Sequence, residues 1–158
     1  MIRLLDRYGA HGFRLSRLEI QKLAYFLQYS GENLRLNFVK HKYGPYAETL
    51  NHLLQRIEGH YIRGYGDRSH RSEVYLLSGA TDEANDMLNN SSDAEERLSR
   101  VSRLIEGFED PYGMELLASV LWVAQEKPTL ALDVEEVVLG MQNWNQRKHK
   151  IFKPGDIH

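Results

Sequence analysis

The 158-residue chain is 42% hydrophobic and 27% charged, with a formal net charge of −2, a balance that fits a folded soluble domain rather than a disordered or fibrous one. It contains no cysteine, which excludes disulfides and thiolate chemistry. No stretch approaches the roughly 18 consecutive apolar residues of a membrane span, and acid and Gly interrupt the opening MIRLLDRYGAHG where a signal peptide needs an apolar run. The expectation is one cytoplasmic domain, 1–158.

The small net charge conceals a segregation. Residues 1–71 hold twelve Lys/Arg against six Asp/Glu, and residues 81–115 hold three against ten. Such a division steers charged partners through the local potential. The plainer reading is a basic and an acidic half that partly face each other, with 81–115 kept as a candidate interaction face.

In chain order, residues 2–8 read as a short helix closed by the Gly9–Gly12 region. The next element is the most strongly specified. Ser16 and Glu19 form an S-x-x-E capping box, and Leu15 and Ile20 sit at the positions of a hydrophobic staple. Ile20, Leu23, Ala24 and Leu27 then recur at helical spacing, widened by Phe26, and Gly31 takes the position that ends the helix. Leu34, Leu36 and Phe38 alternate with polar residues as a weak strand signal. Gly44 and Pro45 suit the N-cap and first position of a helix with Ala47, Leu50, Leu53, Leu54 and Ile57 inside and Gly59 at its end. Residues 60–69 read as a loop, and 73–77 as a second short strand.

Thr81 caps a short helix, Ser92 and Glu95 form a second capping box, and Leu98, Val101, Leu104, Ile105 and Phe108 mark the buried face that follows. Asp110 caps a helix with Pro111 at its first position. From Met114 to Ala124 that helix is apolar nearly all round, with Glu115 its one charge, so it belongs at the centre of the fold. Lys127-Pro128 ends it. Asp133 and Glu136 open a last helix that runs through Trp144 into the basic RKHKIFK tail. The fold class is therefore mainly α, about six or seven helices around a buried central helix near 111–125, with a small two-stranded β element. By strict count it is α+β.

Nothing in the sequence builds a catalytic centre. The phosphate-cradling, dinucleotide, zinc-protease and nucleophile-elbow motifs are absent, and the seven His lack zinc-ligand spacing. Glu58 with His60 and Tyr61 reads as a helix end beside a loop His, and Asp110 of the Glu106/Glu109/Asp110 cluster already serves as a cap. No cofactor, metal or small-molecule substrate is expected, and the chain is expected not to be an enzyme. More suggestive are Tyr43, Tyr46, Tyr61 and Tyr65, interleaved with Lys40, Lys42, Arg56, Arg63 and Arg68. That composition serves single-stranded nucleic acid binding and also protein interfaces. The acidic whole-chain charge favours the protein interface.

The residues 19–50, EIQKLAYFLQYSGENLRLNFVKHKYGPYAETL, resemble the C-terminal toxin-neutralising domain of the DarG antitoxins of DarT–DarG toxin–antitoxin systems. More distantly, Q-K-L-x-Y-F followed by Y-G-P is similar to Panacea-type antitoxin domains. IEGHYIRGYGD (57–67), RLIEGFEDPYGMELLASVLWVA (103–124) and WNQRKHKIF (144–152) extend the likeness over nearly the whole chain. The resemblance implies a partner, a DarT-like toxin that ADP-ribosylates single-stranded DNA, blocked by a domain that covers its substrate groove by mimicking the strand. The family's macrodomain, which removes the modification, has no counterpart in these residues. Carboxylates standing in for phosphates and Tyr rings for bases make Glu106, Glu109, Asp110 and Tyr112 the leading toxin contacts, with Tyr43, Tyr46, Tyr65 and Asp67 next. The alternative is a nucleic-acid-binding or autoregulatory module using the basic N-terminal half.

Overall fold

A computed structural model describes residues 1–9, 15–65, 73–89, 91–126 and 133–157. Asp67, the Gly9–Gly12 closure beyond Gly9, the loop from 66 to 69 and the Lys127-Pro128 stop lie outside the described residues. Among the described residues there are nine helices and two antiparallel two-stranded ribbons. None of these helices is long and apolar enough to cross a membrane.

The helices α1 (Ile2–Gly9) and α2 (Arg17–Tyr29) open the chain. The capping box is present at α2, where the Glu19 N–H donates to the Ser16 hydroxyl at 3.4 Å and the Ser16 N–H donates to Glu19 Oε2 at 3.0 Å. Gly31, at φ 103°, closes it. The alternating stretch 34–38 forms no strand. Instead the Gln28 amide clasps Leu36, donating to its carbonyl at 2.9 Å and accepting from its N–H at 2.8 Å. A side chain thus satisfies the backbone that a partner strand would otherwise take.

The Y-G-P corner also departs from expectation. It begins no helix: β1 (Val39–His41) and β2 (Gly44–Tyr46) form a tight hairpin, and α3 (Glu48–Ile57) starts only after Ala47, which offers no side-chain cap. Gln21 supplies the missing hydrogen bonds, its amide donating to the Ala47 carbonyl at 2.9 Å and accepting from the Ala47 N–H at 2.8 Å. Beside it the buried Lys22 ammonium donates to the Pro45 carbonyl at 3.1 Å. Gly44 has φ 99°, and a Cβ there would lie 3.1 Å from both Lys22 Cε and Ser119 Oγ. Both its left-handed backbone and the space above it call for glycine. On α3, Leu50 and Leu54 are buried while Leu53 is 42% exposed, a correction to the expected buried face.

The second ribbon pairs β3 (Ile62–Arg63) with β4 (Tyr75–Leu76), so the strand expected at 73–77 exists but its partner is β3. The Glu58 carboxylate accepts from the N–H groups of Gly64 and Tyr65 at 3.0 and 3.1 Å. Glu58 is thus a loop brace. α4 (Ala80–Leu88) starts behind Gly79 rather than Thr81, and α5 (Ser92–Ile105) is capped by Ser91, one residue earlier than expected.

The central helix is α6 (Pro111–Glu126). Asp110 Oδ1 accepts from the Gly113 N–H at 2.8 Å, the cap expected there. The helix packs on α2 and β2 on one side and on α7 (Val134–Gln142) on the other. Met114 and Ala118 enter the main core with Leu23, Phe26 and Val101, while Leu116 and Val123 enter a second cluster with Val137, Met141 and Phe152. Burial on two sides is what its all-round apolarity requires. The terminal segment is not one long helix. α7 stops at Asn143, and Asn145 caps the short α8 (Gln146–Ile151), its Oδ1 accepting from the Lys148 N–H at 2.8 Å. α9 (Pro154–Ile157) follows.

Gly113 is where α6 meets the turn before it. A Cβ there would lie 2.9 Å from both the Cα and the carbonyl oxygen of Phe108. Alanine, although the better helix former, is therefore expected to destabilise the fold by about 1–3 kcal/mol through overpacking. Urea unfolding checks this, and a stability at or above that of the parent would show that the turn can yield.

Candidate functional site

Two surfaces concentrate chemistry, one at the N-terminal end of α6 and one alongside it. At its N-terminal end the chain leaves α5 through Glu106 and turns at Gly107. The Glu109 carboxylate accepts from the Gly107 N–H at 2.6 Å, and Asp110 caps α6. Tyr112 follows, 44% exposed, its ring edge-on to Phe152 at 5.1 Å and its phenol donating towards Asp156 Oδ2 at 3.0 Å and the Ile151 carbonyl at 3.2 Å. Partial burial and the Asp156 bond hold that phenol above its usual range. Glu106, Glu109, Asp110 and Tyr112 therefore share one corner. Glu106 and Glu109 also line a cavity of about 300 Å³ with Arg7, Tyr8, Ser102 and Arg103. Burial first, and then the Glu19, Asp110 and Glu109 carboxylates, push the Tyr8 phenol up.

Alongside α6, from Glu115 to Glu126, lies a surface of the opposite character. The β1–β2 hairpin and α8 enclose a cleft of about 530 Å³ lined by Lys40, His41, Lys42, Trp144, Asn145, Gln146 and Arg147. The Trp144 indole N–H donates to the His41 carbonyl at 2.9 Å, and the Asn145 amide donates to the Lys42 carbonyl at 3.2 Å. These bonds staple α8 to the hairpin. Arg147 lies over the Tyr43 ring at 4.7 Å and Lys40 over the Trp144 ring at 4.7 Å, while His41 stacks on Tyr46 at 4.8 Å. Each cation–ring contact of this kind is worth about 0.5–1 kcal/mol at an exposed site.

Behind the cleft is a buried ionic cluster. Glu115 Oε1 accepts from Lys148 Nζ at 2.7 Å and also from Arg147, with Lys148 wholly buried and Glu115 nearly so. Burial pushes the Lys22 ammonium down to about 7, Glu115 opposing and Lys148 reinforcing the shift, and burial likewise lowers Lys148. The unfolded chain, with Lys22 near its ordinary 10.5, holds the proton across this window. Stability should therefore rise as pH climbs from about 7 towards 10.5. Lys22→Met is expected to flatten that rise, leaving only the part due to Lys148. An unchanged slope in urea midpoints measured between neutral and alkaline pH would contradict it.

Of the sequence-predicted contacts, Tyr43 and Tyr46 sit on the cationic hairpin, apart from the acidic corner. Tyr65 requires correction as an exposed contact. It is only 1% exposed, its phenol donates to Asn51 Oδ1 at 2.5 Å, and Asn51 in turn donates to the Tyr46 phenol at 2.5 Å. It braces α2, α3 and the hairpin. Sequence reasoning missed the pairing of Trp144, Asn145 and Arg147 with the hairpin. One signal for it was the lone carboxylate of Glu115 on an apolar helix, which needs a buried counter-charge. Among the described residues no group of three or more His, Cys, Asp or Glu is placed to hold a metal ion.

No family model matches the chain. It is similar to a DNA ADP-ribosyl glycohydrolase of Thermus aquaticus, 47% identical over 148 residues that cover 94% of this chain and 41% of that protein. A DNA ADP-ribosyl glycohydrolase of Mycobacterium tuberculosis is 39% identical over 150 residues, covering 90% of this chain and 42% of the relative. The chain thus spans about two-fifths of the length of these curated relatives. Their name corrects two expectations. The resemblance points to a toxin-neutralising antitoxin domain, and the residues to a chain that is not an enzyme. The relatives are instead named for an enzyme, a glycohydrolase, and neither expectation stands in that form.

Proposed function

We propose that this chain acts in the turnover of DNA ADP-ribosylation, the chemistry for which its relatives are named. In that setting it binds the enzyme that writes the modification, a DarT-like ADP-ribosyltransferase toxin, and covers the groove in which that enzyme holds single-stranded DNA. The acidic corner is the observation that carries this reading. Glu106, Glu109 and Asp110 project from one turn beside the exposed ring of Tyr112. Carboxylates can occupy positions that phosphates take on a basic groove, and an exposed ring can stack where a base would. Charge complementarity of this kind speeds encounter and fixes register. The corner is locally rigid, because Glu109 and Asp110 both accept backbone N–H groups of their own turn, and little conformational freedom is lost when it docks.

Co-expression tests the reading. The tagged chain should retain the transferase through purification and lower the ADP-ribose content of cellular DNA when the transferase is induced. A transferase that is neither retained nor slowed would contradict it.

A further inference from the structure

We propose that the cleft between the β1–β2 hairpin and α8 binds the phosphodiester backbone of a single strand of nucleic acid. This goes beyond the transferase-binding reading and does not rest on it. Four basic side chains, Lys40, His41, Lys42 and Arg147, line the cleft, and none of its lining residues is acidic. Glu126, at 3.4 Å from Lys40, is the carboxylate that reaches its edge. Behind the lining, Arg147 and Lys148 share the Glu115 carboxylate, so the cationic lining of the cleft outweighs the carboxylates that reach it, and the local potential favours an anion. The cations are held in place. Arg147 is fixed by Glu115 and the Tyr43 ring, and Lys40 by Glu126 and the Trp144 ring. An anion therefore meets donors already positioned, at a reduced entropic cost.

The volume, about 530 Å³, lies within the range of small-ligand sites and suits one or two nucleotides, whereas a duplex is too wide to enter. Flat groups favour a nucleotide strand over an acidic peptide. His41 is exposed and stacked on Tyr46, so an aromatic pair lies at the cleft, and a base can stack beside aromatic rings as a carboxylate side chain cannot. The cleft also explains why charge segregation along the sequence did not reveal it. Its cations come from both ends of the chain, with Trp144 and Asn145 bonded to residues 103 positions earlier.

Fluorescence anisotropy of a labelled oligothymidine with the purified chain alone tests the proposal. Contact with about three phosphates gives a slope of about −2 for log affinity against log salt, so raising salt from about 50 to about 200 mM should cost roughly 20-fold. Lys42→Gln should weaken binding severalfold at low salt and reduce the slope by about 0.7. Lys40→Gln should act in the same direction, giving a second variant outside the buried cluster. Arg100→Gln, exposed on α5 and paired with Glu96, should change neither. Binding that is absent, that does not depend on salt, or that survives both lysine substitutions overturns the proposal. Equal or tighter binding of polyglutamate of the same length would also overturn it, and would assign the cleft to an acidic protein segment.

Discussion

Glu115→Ala is expected to destabilise the protein by about 3–5 kcal/mol, the usual cost of removing one partner of a buried ion pair. Glu115 is the acceptor for both Lys148 and Arg147, and Lys148 has no exposure to water. Without the carboxylate, Lys148 keeps a buried charge with no anion bonded to it, and Lys22 loses the larger of the two charges, Glu115 and Glu19, that oppose its own shift. The damage should extend to the hairpin, because Lys22 holds the Pro45 carbonyl and Gly44 packs directly on its side chain. Glu115→Gln keeps an acceptor of nearly the same shape but not the charge, so an intermediate loss is expected. Urea unfolding should show a lowered midpoint with an unchanged slope. A loss below about 1 kcal/mol for the alanine variant would place the pair in water rather than in the interior.

Charge reversal at the acidic corner, Glu106→Lys with Glu109→Lys, is the second large effect, this time on the complex. In the proposed complex two carboxylates would face a basic groove; the variant sets two ammonium groups against it, and like charges brought together at an interface cost several kcal/mol. A fall in affinity for the transferase of about 2 kcal/mol or more is expected, with the salt dependence reversed in sign. Fold stability should change far less, since Glu106 is exposed and the Glu109 carboxylate accepts from one exposed N–H. Asp110 is unsuitable for such a test, because it caps α6 and its loss would cost about 1 kcal/mol of stability. Tyr112 can be divided. Phenylalanine keeps the ring and removes the bonds to Asp156 and Ile151, whereas alanine removes both, and only the alanine variant should weaken the complex if the ring is the anchor.

Elements governed by local rules were legible in the sequence. The capping box of α2, Gly31 at its end and the Asp110-Pro111 start of α6 rest on residues within one turn of each other, and the two-sided burial of α6 was visible in its composition. Elements completed by distant side chains were not. The Y-G-P corner has the residues of a helix start, yet Gln21 and Lys22, more than twenty positions earlier, hold its carbonyls and make it a hairpin edge. The 34–38 alternation suggested a strand because a period of two marks a half-buried surface, and the Gln28 amide replaces the strand partner. The same distinction applies at the surfaces. Glu106 to Tyr112 are neighbours in sequence and form one corner, while the cationic cleft joins the hairpin to α8 and could not be read from spacing. Tyr65 was misjudged because a Gly-flanked Tyr in a loop resembles an exposed contact, and the polar network of Asn51 and Arg17 that encloses it comes from other helices.

The central claim is that the chain and single-stranded DNA occupy the same groove of the transferase. Calorimetric titration of the chain into transferase already saturated with a single-stranded oligonucleotide measures this directly. Using the Lys42→Gln variant reduces the contribution of any strand bound by the chain itself to the heat signal. Apparent affinity is predicted to fall in proportion to DNA occupancy, and to recover when the DNA is omitted. An affinity unchanged by saturating DNA would contradict the account and place the chain on another face of the transferase.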